Sequence, residues 1–231
     1  MLVNTARVIH IGLNYVIAPK RPLTVDEKLA FQKELSMIGL EAEKTAKKEG
    51  GVGIKASYEG TTVIVETFMN SPNTGQLLIL MPENPNSVLF SKIAEAVGEI
   101  YIRIFTDPKP QVFAQKDGSI RKLYSCSPEY PHAFQYIWEK MLGKSPEELS
   151  VLGKPILGGG LRFVMPPTPN EPIETQVKIE SFIQDPKLLW VEATMKWLQP
   201  EEVGTNFPAG ELYARLNDFI DKNVAKLMSA Q

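Results

Sequence analysis

The chain has one cysteine, two histidines and no surplus of basic residues. A single thiol rules out an internal disulfide framework and suits a reducing compartment, so a cytoplasmic location is expected. Two histidines, His10 and His132, are too few for a histidine-rich transition-metal site. No metal or cofactor is expected. Lys and Arg number 25 against 27 Asp and Glu, a net charge of −2. Nucleic-acid binding needs a track of cations that neutralises phosphates. The densest basic cluster here, Lys44, Lys47 and Lys48, lies among three glutamates and reads as a solvated helix face. Nucleic acid is therefore not an expected partner. No apolar run approaches the ~20 residues that cross a bilayer. Met1 to Tyr15 lacks a basic leader, and His10, Gly12 and Asn14 interrupt its apolar pattern, so neither a signal peptide nor a membrane partner is expected.

Catalytic vocabulary is also sparse. There is no Gly-x-Ser-x-Gly elbow, dinucleotide fingerprint or zinc spacing. Gly158-Gly159-Gly160 precedes a strand pattern, whereas a phosphate loop opens a helix. It reads as a connector. Cys126, with His132 six residues on, reads as a small hydrophobe at a strand end.

What the chain does have is internal similarity. Ala30-Phe31-Gln32 recurs as Ala133-Phe134-Gln135, and Gly50-Gly51-Val52-Gly53-Ile54 has a counterpart in Gly158-Gly159-Gly160-Leu161. Val63 to Met69 returns as Val177 to Ile183, each with a central glutamate and a phenylalanine two places later. Pro82-Glu83 and Pro200-Glu201 each precede an amphipathic helix. The spacing differs: 34 residues separate Gln32 from Glu66, and 45 separate Gln135 from Glu180, mainly through the proline-rich stretch Pro166–Pro172. That stretch reads as a stiff spacer or a cover over a cleft.

The element pattern follows the same grammar twice. A strand at 7–18 leads to a Thr24-Val25-Asp26-Glu27 capping box. The helix behind it is predicted to run to about Lys48, burying Leu29, Phe31, Leu35, Ile38, Ala42 and Ala46, and to stop at Gly50-Gly51. Strands are predicted at 53–59, 61–70 and 76–81, then a helix at 87–105, with Asp107-Pro108-Lys109-Pro110 closing the first half. The second half predicts strands at 111–115 and 120–126 joined by an Asp117-Gly118 hairpin turn. Helices at 131–142 and from Ser145, strands at 161–165, 175–183 and 188–198, and a helix at 211–228 follow.

The expected fold is α+β: two similar strand-helix-strand-strand-strand-helix repeats, 1–108 and 109–231, ferredoxin-like in general character. Each crossover pair of strands is expected to be parallel, with an antiparallel meander after it and helices on one sheet face. The competing reading is two unrelated α+β stretches that share common pattern words. The halves are expected to pack into one compact unit.

Alternation along the matched strands isolates the candidate site. Val63, Val65, Thr67 and Met69 share one side, facing helices; Glu66 and Phe68 share the other, as do Glu180 and Phe182 in the second copy. Were the two sheets to face each other, Glu66 and Glu180 would meet across a pseudo-twofold axis. Two carboxylates in an aromatic-lined cavity can bind a cation or divide acid and base roles. The competing reading is a half-exposed sheet face on which each glutamate pairs with a lysine. Trp190, on the Glu192 and Thr194 side of its strand, is a candidate pocket or interface residue. These features point to a non-catalytic ligand-binding or assembly protein, with a small molecule or a second copy as partner. The alternative is a small-molecule enzyme with Glu66 and Glu180 as its catalytic pair.

Overall fold

A computed structural model describes residues 3–105, 110–204 and 207–229. The Asp107–Lys109 part of the expected boundary between halves lies outside the described residues. In chain order the elements are β1 (Val3–Ala18), α1 (Val25–Met37), β2 (Ala42–Lys48), β3 (Gly51–Tyr58), β4 (Thr61–Ser71), β5 (Thr74–Met81) and α2 (Ser87–Ile104). Next come β6 (Val112–Cys126), a short α3 (Ala133–Gln135) running into a π turn (Tyr136–Met141), and a 3₁₀ turn (Pro146–Leu152). Then come β7 (Gly160–Met165), β8 (Ile173–Ser181), β9 (Leu188–Trp197), β10 (Glu201–Glu202) and α4 (Ala209–Phe219). That last helix continues through a second π turn (Ile220–Val224) into α5 (Ala225–Ser229).

The protein is an α+β fold built on one antiparallel sheet of 10 strands in the order β2-β3-β4-β5-β1-β6-β9-β8-β7, with β10 beside β6. The helices pack over one face. Strand alternation explains why: Ile11, Leu13, Tyr15 and Ile17 of β1 are essentially fully buried beneath them, while His10 and Asn14, at the alternate positions, lie on the uncovered face. The same period buries Val63, Val65 and Thr67 in β4, and Val177 and Ile179 in β8.

Three expectations are corrected, and one conditional arrangement is not found. The first helix ends at Met37. Leu40 N–H bonds to Leu35 C=O and Gly39 N–H to Ser36 C=O, with Gly39 at φ 86°, so a left-handed glycine ends it. The chain from Ala42 to Lys48 is then an edge strand, and Leu29 of the expected apolar stripe is 58% exposed. Asp117-Gly118 is no turn but the middle of β6. A Cβ on Gly118 would lie 3.1 Å from Leu216 Cδ2, so the glycine allows close helix–sheet approach. The expected crossover pair, the strands at 7–18 and 53–59, is β1 and β3; three antiparallel steps link them through β5 and β4, so they run in opposite directions and no parallel pair forms. Finally, the halves do not stack face to face. β1 pairs with β6 from Val3↔Cys126 to Ala18↔Val112 and joins them edge to edge into one sheet.

Among the described residues no helix is long and apolar enough to cross a membrane.

Candidate ligand concavity

The uncovered face is not flat. Leu78 and Leu80 of β5 and Arg162 of β7 line one concavity of about 410 Å³, although four strands lie between β5 and β7. The sheet is therefore curled around this face. The floor is the β1–β6 seam, where Gly12 pairs with Ser119 and Asn14 with Asp117. Gly12 keeps that floor low: a Cβ there would lie 2.6 Å from Leu80 Cδ2 and 3.1 Å from Ser119 Oγ.

One wall carries charge. Glu192 of β9 is 5% exposed. It accepts from Arg121 Nε of β6 and Lys178 Nζ of β8, each at 2.7 Å. Burial pushes its carboxyl up, but the bonds from Lys178 and Arg121 outweigh burial and hold it below the ordinary value. Lys196 Nζ lies 3.4 Å from Glu174, and Asp117 accepts from Asn14 and Gln115 at 2.8 and 2.6 Å. Each of the acidic side chains lining the concavity thus already has a partner: Asp117 and Glu192 accept hydrogen bonds, and Glu174 has an ion pair. Arg162 has no ion pair among the described residues, and Asn14 Oδ1 is buried without a hydrogen-bond partner.

His10 Nε2 lies 3.3 Å from Ser119 Oγ at the floor. Burial first, then the Arg121 charge, lowers the imidazole pKa to about 4, with Glu192 opposing. A base that weak takes a hydroxyl proton poorly near neutral pH, so the pair does not make an activated serine. It does make a pH prediction. An unfolded histidine protonates near pH 6.5, whereas His10 in the folded chain stays neutral to about pH 4. The unfolded state therefore binds more protons in between, and stability falls as pH drops from 6.5 to 4. The part-exposed ring limits this to on the order of 1–2 kcal/mol. Urea unfolding across that window should show a shallower loss for His10→Gln than for wild type.

The residues singled out from the sequence lie around this concavity rather than in it. Glu66 is on β4 and Glu180 on β8, both on the uncovered face. Four strands separate them, roughly 24 Å along the sheet. The fold does not bring them together. Glu66 is ion-paired with Lys48 at 2.8 Å, and Lys48 Nζ lies 5.7 Å from the Phe68 ring centre. Glu180 is exposed, with Gly160 and Trp190 as its cross-strand neighbours. Phe182 sits half-buried just past β8, where its N–H bonds to Leu188 C=O. Trp190 is half-buried, with the Arg121 guanidinium 5.8 Å from its ring centre, so it adjoins the Glu192 network. The Cys126 thiol is pushed up to about 11 by burial, the opposite of what a nucleophile needs. Among the described residues no three His, Cys, Asp or Glu side chains gather to hold a metal ion.

Asn14, Asp117, Ser119, Arg162, Lys178, Glu192 and Thr194 line the concavity without having been singled out. The alternation along β9 carried part of the signal: Glu192 and Thr194 lie on the Trp190 side. Knowing which strands would be neighbours was the missing part.

No protein-family model matches the chain, and no curated protein matches its sequence.

Proposed function

We propose that this chain is a non-catalytic binding protein that takes a small amphipathic anion into the concavity over the β1–β6 seam. The observation that carries the reading is how the charged groups of the lining are partnered. Glu192 and Glu174 are ion-paired and Asp117 is hydrogen-bonded by two amides, while the Arg162 guanidinium has five donors and no ion-pair partner among the described residues. Leu78 and Leu80 supply an apolar end, and Asn14 Oδ1 an acceptor in need of a donor. A few polar groups in a concave, partly apolar site are the usual make-up of a small-molecule pocket.

We also infer that the two halves, about 1–108 and 109–231, descend from one copied unit. Glu66 and Glu180 lie on strands two places from the central seam, β4 beyond β5 and β1, and β8 beyond β9 and β6. Gly51 opens β3 as Gly160 opens β7. The concavity then straddles the pseudo-twofold. Strand β2 has no counterpart among the described residues of the second half, and the counterpart of α1 is the brief α3 with its π turn. The half-buried lone Cys126 fits a cytoplasmic setting. The enzyme alternative, with Glu66 and Glu180 as a pair, has less support because of the strands between them.

Octanoate is a suitable probe, since it joins a carboxylate to a short chain. It should raise the melting temperature, and octylamine should not. At a hundredfold excess over Kd the stabilisation is about 2.7 kcal/mol. Arg162→Ala should remove the carboxylate preference. Gly12→Val, which raises the floor against the movable end of Leu80, should remove binding altogether while leaving the circular dichroism spectrum intact. Equal shifts for octanoate and octylamine, or undiminished binding in Gly12→Val, would sink the reading.

A further inference from the structure

The sheet has two free edges, and they are built differently. β2, at one end, carries Lys44, Lys47 and Lys48, and its pairing with β3 shifts register between Ala42 and Lys44. Lysines and bulges are the usual protection of an edge against adding a further strand. β7, at the other end, reads Gly-Leu-Arg-Phe-Val-Met, with one charge and an unbroken register from Gly160↔Glu180 to Met165↔Thr175.

Its free backbone groups are identifiable. Ser181 N–H bonds to Gly159 C=O at 3.0 Å, which makes 159 and 181 a hydrogen-bonded pair. Antiparallel pairs alternate between bonded and non-bonded. Leu161, Phe163 and Met165 therefore turn their N–H and C=O toward β8. Gly160, Arg162 and Val164 turn theirs outward, where no strand follows among the described residues. The side chains here are also uncovered. Phe163 and Met165 lie on the helix side of the sheet yet remain 38% and 37% exposed, and Val164, on the concave side, is 53% exposed.

We propose that β7 is the interface with a second copy of this chain, its β7 pairing antiparallel across a twofold axis at Phe163. The choice of register follows from three requirements. A twofold normal to the sheet keeps the helices of both copies on one side, so opposed residues must share a face, and the axis must pass through a residue. Centring on Arg162 sets two guanidiniums opposite each other. Centring on Val164 puts Arg162 opposite Pro166, which has no N–H to give. Centring on Phe163 opposes Arg162 with Val164 of the partner copy and the reverse, the residues whose N–H and C=O are free, and closes about four hydrogen bonds. It also sets Phe163 on its own counterpart and Leu161 on Met165, a row of apolar cross-strand pairs. The two sheets become one, with the helix layers side by side. The second copy is thus an occupant that matches the outward backbone groups and the side chains together, and the lysine-bearing β2 edge stays free.

Light scattering over a range of concentrations should give twice the chain mass of 25.8 kDa. Val164→Pro removes an N–H that has no partner among the described residues, at an edge-strand position that tolerates proline, so it should give a monomer with unchanged circular dichroism. Phe163→Cys in a Cys126→Ser background should form an inter-chain disulfide under mild oxidation, and Leu161→Cys should not. A wild-type monomer at every concentration overturns the proposal, including one that instead takes up an unrelated extended peptide. A dimer that survives Val164→Pro, or that fails to cross-link through position 163, overturns it equally.

Discussion

Between pH 7 and pH 10 the wild-type chain should gain on the order of 4 kcal/mol of unfolding free energy relative to Lys20→Met. Lys20 follows the end of β1 and is only 4% exposed. Its ammonium donates to Thr67 Oγ1 at 2.5 Å and lies 4.8 Å from the Tyr101 ring centre and 5.8 Å from that of Phe105. Its stem fills the space left by Gly75, where a Cβ would meet Lys20 Cδ at 2.2 Å. Burial lowers the pKa to about 7, against a smaller opposing pull from Glu27. An unfolded lysine holds its proton to about pH 10.4. Between the two values the unfolded chain therefore binds one more proton than the folded chain, and stability rises with pH at about 1.36 kcal/mol per unit. Below pH 7 both states are protonated and the contribution is flat. Met keeps the apolar stem and removes the titration, so the difference between the two proteins isolates this one group. Urea unfolding at intervals from pH 6.5 to 10 reads it directly. Parallel curves for the two proteins would mean that the ammonium is solvated.

Local chemistry was legible wherever a few adjacent residues decide the structure. The capping box at Thr24 is present, with Thr24 Oγ1 accepting from Glu27 N–H and Glu27 accepting from Thr24 N–H. Arg21 grips the same carboxylate, and that bond, with the cap, lowers the Glu27 pKa to about 2. The second helix was expected at 87–105 and spans Ser87–Ile104, since its apolar residues recur at helical spacing and Asn86 caps it. The alternation of β4 and β8 sorted their covered and uncovered faces correctly. β2 misled for a physical reason: Ala, Glu and Lys are helix formers, and Ala42 and Ala46 stand four apart. Pairing with β3 overrides that preference. Gly39, not Gly50, was the stop signal. In the final helix the π turn adds a residue to one turn, so the inner face runs Ile220, Val224, Met228, and Leu227 is left 45% exposed.

The concavity was less legible because it depends on strand order. Each strand shows which of its residues face the uncovered side, but nothing along the chain says that β1 pairs with β6. Asn14 and Asp117, 103 positions apart, become hydrogen-bonded neighbours only through that seam. The matched glutamates drew attention because they recur, yet each lies two strands from the β1–β6 seam. The residues at the seam come from β1 and β6, whose long strands carry little matching text.

Gly51→Ala should be the most damaging single methyl in the chain, costing more than about 3 kcal/mol. Gly51 opens β3, where a Cβ would fall 1.8 Å from Thr67 C=O oxygen, 2.5 Å from its carbonyl carbon and 2.7 Å from Phe68 Cα. All three are backbone atoms of β4. That strand is held on its far side by β5 through Thr67↔Leu77 and Phe68↔Gln76, and Thr67 lies beneath the Lys20 ammonium, so it has nowhere to retreat. Gly60→Ala is the matched control. Gly60 has φ +78° in the β3–β4 turn and nothing within 4 Å of a new Cβ, so its cost is the left-handed strain alone, about 1–2 kcal/mol. The melting temperature should fall by at least roughly 6–12 °C for Gly51→Ala and by roughly 2–8 °C for Gly60→Ala. Gly160→Ala tests the same contact in the second half, where a Cβ would lie 2.4 Å from the Ile179 carbonyl oxygen. Within one chain β7 is an edge strand that can move outward, so the loss should be smaller, and the β7 pairing proposed above should weaken with it. Equal losses at positions 51 and 60 would show that β4 yields, and that the β3–β4 contact is not the rigid wall described.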